Sequence, residues 1–265
     1  MPDDDGLWVD PYFLPDTPQV LANRFGVRNA DELLDLEYQA TALRAIEIET
    51  GAVQLPETGD AYEWKAIHRH LFQDVYEWAG EFRTVWIGAE GDWFIDPPDL
   101  ESYIAAVTDS IRGAGWAEMN RREFVQNAAS TYQQLNWGHP FREGNGRSLR
   151  IFLDRLSSGA QFVLDYGRVS PGLWNSASAA SHPPGYDGPF DVTPLIPVFA
   201  DITVERVEPS TTIDIEGLAP GLTAAAASIL RPPTLNYSPT PEEPEQLDSA
   251  EHELGQPNPG NDVVP

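Results

Sequence analysis

Twelve consecutive residues, His139-Pro-Phe-Arg-Glu-Gly-Asn-Gly-Arg-Ser-Leu-Arg150, bring together the side chains that phosphate chemistry requires. Gly138 is expected to end one helix, and Gly144, Asn145 and Gly146 to open the next. A helix N-terminus carries backbone N–H groups without intrahelical partners and the positive end of the helix dipole. Glycines there remove side chains that would block a close ligand, so the turn is a cradle for phosphate. Arg147 falls in the first turn and Arg150 three residues later, on the same face. Two guanidinium forks beside such a cradle suit a polyphosphate better than a lone carboxylate. Glu143, at the lip, is placed to hold magnesium among phosphate oxygens. His139 titrates near neutrality and is suited to take a proton from an incoming hydroxyl. Pro140 stiffens the turn, and Phe141 is expected to anchor it in the core. The combination implies transfer of a phosphate-containing group from a magnesium–nucleotide to a hydroxyl. A Gly-x-Gly alone reads as an ordinary loop, and a histidine beside a proline as a surface residue. The full twelve-residue constellation carries the argument.

These residues need elements to hold them. Asn29 followed by Glu32 has the capping-box spacing and opens a helix to about Thr50, stopped by Gly51. Its apolar stripe reads Leu33, Leu36, Ala40, Leu43 and Ile46. A second helix is expected from about Tyr62 to Trp78, with Trp64, Ile67, Leu71, Val75 and Trp78 inward and Gly80 as its stop. Residues 83–88 and 93–95 are β-branched and aromatic on either side of a turn, which predicts one short hairpin. Asp99 can cap a helix to about Arg112. A further helix runs from Arg121 to about Trp137, and another through Leu149, Phe152, Leu153 and Leu156. Two shorter helices are expected near residues 170–180 and 193–202, each with a capping residue followed by a proline at the first helical position.

The chain of 265 residues has 42 acidic against 16 basic residues, a formal charge of −26. That balance disfavours a general binder of nucleic acid or of membrane surfaces. Hydrophobic residues make up 41% of the chain, enough for a real core. No apolar run is long enough to span a membrane. With no cysteine there is neither a disulfide nor a thiolate zinc site. The start, MPDDDGLWVD, is acidic where a secretion signal would be basic, so a cytoplasmic location is expected, with delivery into another cell as a variant. Eight of the 24 prolines and seven acids fall after residue 231, which predicts a disordered tail. The expected division is an irregular lead-in at 1–28, one catalytic domain at 29–220 and a Pro/acid-rich tail at 221–265. The expected fold class is all-α with one short β-hairpin.

The run from His139 to Arg150 resembles the signature of the Fic family of protein adenylyltransferases, His-x-Phe-x-Asp/Glu-Gly-Asn-Gly-Arg-x-x-Arg, at every fixed position. Upstream, Ala66-Ile-His-Arg-His-Leu-Phe-Gln-Asp-Val-Tyr-Glu-Trp-Ala-Gly-Glu-Phe-Arg-Thr84 is similar to the segment that precedes it in that family. The likeness covers roughly residues 30–205. It implies a Fic-type helical core with the hairpin acting as a flap. It implies that His139 deprotonates a Ser, Thr or Tyr hydroxyl, which attacks the α-phosphate of ATP while pyrophosphate leaves. Glu143 would hold Mg2+. The backbone around Gly144, Asn145 and Gly146 would receive the phosphates, with the Asn145 side chain steadying the α-phosphate. Arg147 would contact the β-phosphate and Arg150 the γ-phosphate. Thr84, Val85, Trp86 and Ile87 would dock the target as an added strand. In the related Doc kinases the second glycine of the nest is a lysine. Gly146 therefore favours AMP transfer over phosphorylation. Other nucleotidyl or phosphocholine transfer, and an inactive nucleotide-binding scaffold, are the alternatives.

The resemblance also implies a toxin- or effector-like protein silenced by a helix carrying Ser/Thr-x-x-x-Glu-Gly/Asn. Thr41 is followed four residues later by Ala45, which does not fit. Thr212 to Gly217 matches literally, with Glu216 as the glutamate, but its β-branched residues are poor helix formers. A small antitoxin-type inhibitor protein is the preferred expectation, beside the target protein as partner. His68 and His70 point to different faces of a helix and read as core or surface residues. His182 and His252 suggest nothing. Of the tryptophans, only Trp86 and Trp93 remain candidates for stacking on a base.

Overall fold

The computed structural model describes residues 10–89, 92–184 and 188–207. Among them are seven α-helices and three antiparallel strand pairs, an all-α architecture in which no pair exceeds two strands. The tail and Glu216 lie outside the described residues.

Helix α1 (Ala30–Glu49) begins as its capping pattern requires: the Asn29 side chain accepts the Glu32 N–H at 3.0 Å. Its inner face differs from the apolar stripe. Leu33, Glu37, Thr41 and Ala45 are buried, whereas Leu43 is 67% exposed. Steps of four residues turn two polar side chains inward because a buried arginine awaits them.

Helix α2 (Ala61–Phe72) is capped by Asp60, which accepts the Tyr62 and Glu63 N–H groups. Trp64, Ile67, Leu71 and Val75 are fully buried, as their spacing implies. The helix ends six residues before Trp78, the expected end. The chain folds back instead. Gly80, at φ 84°, comes so close to α2 that a Cβ would lie 2.7 Å from Arg69 Cβ and 2.9 Å from the Lys65 carbonyl. Only glycine fits there.

The hairpin is present but shorter than the expected strands. Strand β1 (Phe13–Leu14) pairs with β2 (Thr17–Leu21), and β3 (Gly88–Ala89) with β4 (Asp92–Trp93) in the flap. Residues 83–87 form no ladder, and the chain bends at Thr84 and Val85. In the third pair, β5 (Phe162–Leu164) runs antiparallel to β6 (Thr203–Glu205) and ties the chain after the signature helix to its last described residues. Neither β1–β2 nor β5–β6 was among the elements read from the sequence.

Helix α3 (Leu100–Ile111) is not capped by the Asp99 side chain. Asp99 already has helical backbone angles, φ −95° and ψ −10°, at the end of a short 3₁₀ turn. Helix α4 (Arg121–Gly138) opens with a complete capping box between Asn120 and Glu123. Gly138, read as its terminator, is the last helical residue; the left-handed position falls on His139. Glycine is needed at 138 for another reason: a Cβ would sit 2.6 Å from Ile104 Cδ1 of α3.

Helix α5 (Asn145–Leu156) starts at Gly144, at φ 82°. Helix α6 (Pro171–Ala180) is capped by Ser170, and α7 (Ile196–Ile202) begins three residues later than expected. α5 packs between α2 and α4, and α4 also packs on α3 and α7. The core runs through Trp64, Phe72, Phe124, Phe141, Phe152 and Phe199, and Trp64 stacks on Phe152 at 5.7 Å. A smaller cluster of Phe94, Ile95, Leu100 and Trp137 underlies the flap.

Candidate active site

The site sits where the C-terminus of α4 meets the N-terminus of α5. His139 holds φ 41° and ψ 56°, and it is the one non-glycine residue with positive φ among those described. A β-carbon in that region costs of order 1 kcal/mol, so the surroundings must enforce it. Its carbonyl accepts from Arg83 Nε at 2.8 Å. Its ring lies on Phe94 of the flap, centroids 4.1 Å apart and 18° from parallel.

The loop between the two helices is closed by its own asparagine. Asn145 Oδ1 accepts the Phe141 N–H at 2.8 Å, and Asn145 Nδ2 donates to the Phe141 carbonyl at 2.7 Å. Phe141 is fully buried against Trp64 and His68, the anchor its type implied. At Gly144 a Cβ would be 2.2 Å from the Phe72 ring, so this nest position admits no side chain at all. Glu143 folds back so that its Oε1 accepts the Gly144 N–H at 2.8 Å. A carboxylate of the chain thus lies where an incoming anion would meet the nest.

The two signature arginines are both buried and differ in their partners. Arg147 donates to Glu37, to Thr41 Oγ1 at 3.3 Å and to Glu143 Oε1 at 3.3 Å. The Tyr76 hydroxyl donates to the other oxygen of Glu37. Arg150 lies with its guanidinium 5.7 Å from the Tyr166 ring, and its Nε and one Nη are buried without a hydrogen-bond partner. A buried cation without such partners is costly unless an anion arrives.

The family model for the Fic/DOC family matches residues 59–157. The chain is 31% identical over 209 residues to the probable protein adenylyltransferase Fic of Escherichia coli (strain K12), covering 78% of this chain and 99% of that protein. It belongs to the Fic/DOC family.

This Fic/DOC chain is also 35% identical over 174 residues to protein adenylyltransferase VbhT of Bartonella schoenbuchensis, which covers 65% of this chain but only 36% of VbhT. Among solved structures, the N-terminal Fic domain of a Bartonella quintana VirB-translocated Bep effector protein, with bound ADP, matches with a TM-score of 0.63 at 25% identity. That match covers 74% of this chain and 95% of the other. The BepC protein of Bartonella tribocorum, with bound AMPPNP, matches at a TM-score of 0.64 and 24% identity, covering 74% and 97%; it bears on the fold alone.

The electrostatics of the Fic site follow from burial. Desolvation, with the Arg83 and His182 charges next, pushes His139 down to about 3, against a hydrogen bond to the Asn136 backbone. His139 is therefore neutral throughout the physiological range. His68 is also pushed down to about 3 by burial. Its Nδ1 accepts the Gly80 N–H at 2.9 Å, which leaves Nε2 as the donor to the Glu143 carbonyl, also at 2.9 Å. The expected core role is correct, and the ring does more: it ties the turn after α2 to the anion nest. His70 faces away, 2.9 Å from Glu47. Enclosure by the protein packed around it, then the charge of Glu37, raises the Glu143 carboxyl, although the side chain keeps an exposed edge at the lip. Asp154, next to Tyr166, is pushed up to about 8 by burial.

Both buried histidines stay neutral when folded and take a proton near 6.5 when unfolded. Their contribution to stability is thus complete above that value and lost as pH falls towards 3. Urea unfolding should show His139→Ala gaining about 2 kcal/mol on wild type between pH 7.5 and pH 5. Parallel stability curves would refute the depressed value.

The donor set around the nest suits magnesium held jointly by protein and nucleotide. The Glu143 side chain is 42% exposed at the lip, and one carboxylate plus substrate phosphates is a common way of binding that ion. Among the described residues no group of three or more His, Cys, Asp or Glu is arranged to hold a metal.

The flap residues alternate. Val85 is buried, Thr84 and Trp86 are exposed, and the Thr84 N–H is bonded to the Tyr12 hydroxyl at 3.1 Å. Sequence reasoning passed over Glu37, Tyr76, Phe94 and His182. His182 lies 5.4 Å from Phe94, centroid to centroid, and its charge acts on His139. Only the inward four-residue spacing of Glu37 and Thr41 hinted at the first of these. Glu37→Gln should lower unfolding free energy by about 2 kcal/mol, the worth of a charge-assisted bond to buried Arg147. Denaturant titration checks it, and an unchanged midpoint would mean that Glu143 alone suffices.

Proposed function

We propose that this chain transfers AMP from ATP to a serine, threonine or tyrosine hydroxyl of a target protein, releasing pyrophosphate. The observation that carries the reading is a neutral, buried imidazole one short loop away from a glycine nest flanked by a buried arginine, two of whose guanidinium nitrogens have no hydrogen-bond partner. Both curated relatives described above are named as protein adenylyltransferases, one of them as probable, which supports it.

In this mechanism His139 accepts the proton of the acceptor hydroxyl. The oxygen forms a bond to the α-phosphorus, and the bond from that phosphorus to the bridging oxygen breaks, so pyrophosphate leaves with the electron pair. The N–H groups of Gly144, Asn145 and Gly146 receive phosphate oxygens, and the Asn145 amide steadies the α-phosphate while closing the loop. Arg147 faces the β-phosphate and Arg150 the γ-phosphate. Glu143 releases the Gly144 N–H and would hold Mg2+, which supplies charge neutralisation between phosphates. Thr84, Val85, Trp86 and Ile87 offer the target a strand edge. Gly146, where Doc kinases carry lysine, supports AMP rather than phosphate transfer.

The test is incubation with ATP labelled at the α- or γ-phosphate. Protein label from the α-position alone is expected. Label from the γ-position would make it a kinase, and neither would leave phosphocholine transfer or an inactive scaffold.

We read the protein as toxin- or effector-like, acting in a cytoplasm, its own or that of a cell it is delivered into. Inhibition by a small partner protein is supported by Arg150, which has no hydrogen-bonded carboxylate among the described residues, and by Glu37 serving the other arginine. Repeating the α-label assay with Glu216→Gly decides the matter: a large rise in self-labelling would place the inhibitor in this chain instead.

A further inference from the structure

The flap and the catalytic loop are joined by one side chain. Arg83 is 2% exposed and donates to four backbone carbonyls. Two belong to the end of α4: His139 at 2.8 Å through Nε, and Gly138 at 3.4 Å through Nη2. Two belong to the flap: Val85 at 2.8 Å through Nη1, and Ile95 at 2.5 Å through Nη2. The backbone repeats the link, since the Arg83 N–H donates to the Pro140 carbonyl at 2.8 Å. The same segment then returns to lay Phe94 on the His139 ring.

This arrangement answers a question left by the left-handed backbone at His139. A helix of 18 residues ends in carbonyls that need donors, and here the last turn is buried beneath the flap. The planar guanidinium supplies them in a fixed fork and cannot lose its charge, which a flexible ammonium with three donors could not match in geometry. The carbonyl of His139 is held on one side by Arg83, while the ring is pressed on the other by Phe94.

We propose that Arg83 is a positioning residue that sets His139 and the flap in one frame, so that an acceptor seated on the flap meets the imidazole in register. The inference rests on the transferase reading above. It separates two parts of the site: the anion nest is held by Asn145, His68 and Gly144, none of which Arg83 touches through the bonds described. Loss of Arg83 therefore disturbs the proton acceptor and leaves the phosphate cradle in place. Small misplacement of a reacting group is enough to lower a rate by about 10²-fold.

The test compares the full chain with Arg83→Lys and Arg83→Met, using AMP transfer, calorimetric binding of magnesium–AMPPNP, thermal melting and the ¹⁵N resonances of the His139 ring. The expected result for Arg83→Lys is a kcat at least tenfold lower, a nucleotide Kd within twofold of wild type and a shifted His139 resonance. If Arg83→Met fails to fold, Arg83→Lys decides alone. Rate and nucleotide affinity falling together would assign Arg83 a merely structural role and overturn the proposal. So would a lysine variant with wild-type rate and an unmoved ring. Should wild type itself transfer no AMP, the transferase reading fails, and the His139 resonance still decides whether Arg83 positions that ring.

Discussion

Replacing His139 with alanine should lower the rate of AMP transfer by about 10²–10⁴-fold, the range that a positioned general base supplies. Binding of magnesium–ATP should stay within a few-fold of wild type, because the nest is held by Asn145, Gly144 and His68 rather than by this ring. The fold should survive as well. The residue lies at a helix end, and its backbone is held by Arg83 and by the Leu135 carbonyl irrespective of the side chain. Left-handed φ costs any residue with a β-carbon, histidine included, so the exchange adds little strain there. Quench-flow with labelled ATP and a calorimetric titration separate the two quantities. A variant that still transfers AMP at the wild-type rate would remove His139 from the mechanism. A variant that no longer binds nucleotide would make the ring part of the cradle. The depressed titration adds a second signature: the acid limb of kcat/KM should be absent near pH 6.5, since His139 is already in its basic form there.

The signature loop was legible because each position answers a local demand. Phe141 is a buried anchor, as its type and place implied, whereas Gly144 is kept bare by the Phe72 ring, a packing demand beyond the room for a ligand that the glycines suggested. The helices were legible where an apolar period coincided with burial, as in α2. They were misread where charge pairing outweighed it. On α1 the inward face carries Glu37 and Thr41, because the energy of leaving Arg147 unpaired exceeds that of leaving Leu43 in water. A hydrophobic pattern cannot register a partner that lies 110 residues away in the chain. The stop of α2 failed for a related reason: the constraint on Gly80 comes from contact with Lys65 and Arg69, not from any turn signal near Trp78. The strand pairs β1–β2 and β5–β6 are too short for alternation to declare itself. Arg83 illustrates the limit best. It stands in the segment that resembles the family, yet four carbonyls from three stretches of chain define its role, and carbonyls leave no trace in a sequence.

Arg150→Met should make the nucleotide-free protein more stable and the enzyme worse. The residue is 5% exposed, burial pulls its guanidinium's titration below the ordinary value, and two of its nitrogens have no hydrogen-bond partner. Methionine keeps much of the volume and removes the buried charge. Apolar replacement of such a charge is worth about 1–4 kcal/mol of added stability when nothing else is stranded by it. The neighbouring acid is the usual objection, since removing one ion leaves the other exposed to the same low dielectric. Here burial raises Asp154 to about 8, so at neutral pH it is mostly protonated, and the Tyr166 hydroxyl bonds it at 3.2 Å. No unpaired anion is left behind. In the proposed mechanism the same change takes away the cation assigned to the γ-phosphate, and a lost charge-assisted bond of about 1.5–3 kcal/mol should lower affinity for ATP by roughly 10–100-fold. AMP should bind nearly as before, since it lacks that phosphate. Urea unfolding together with ATP and AMP titrations gives all three numbers. If the variant is destabilised, Arg150 belongs to the scaffold; if ATP and AMP weaken equally, its partner is not the outermost phosphate. A gain in stability paired with a selective loss for the triphosphate is what a cation kept for its ligand must produce.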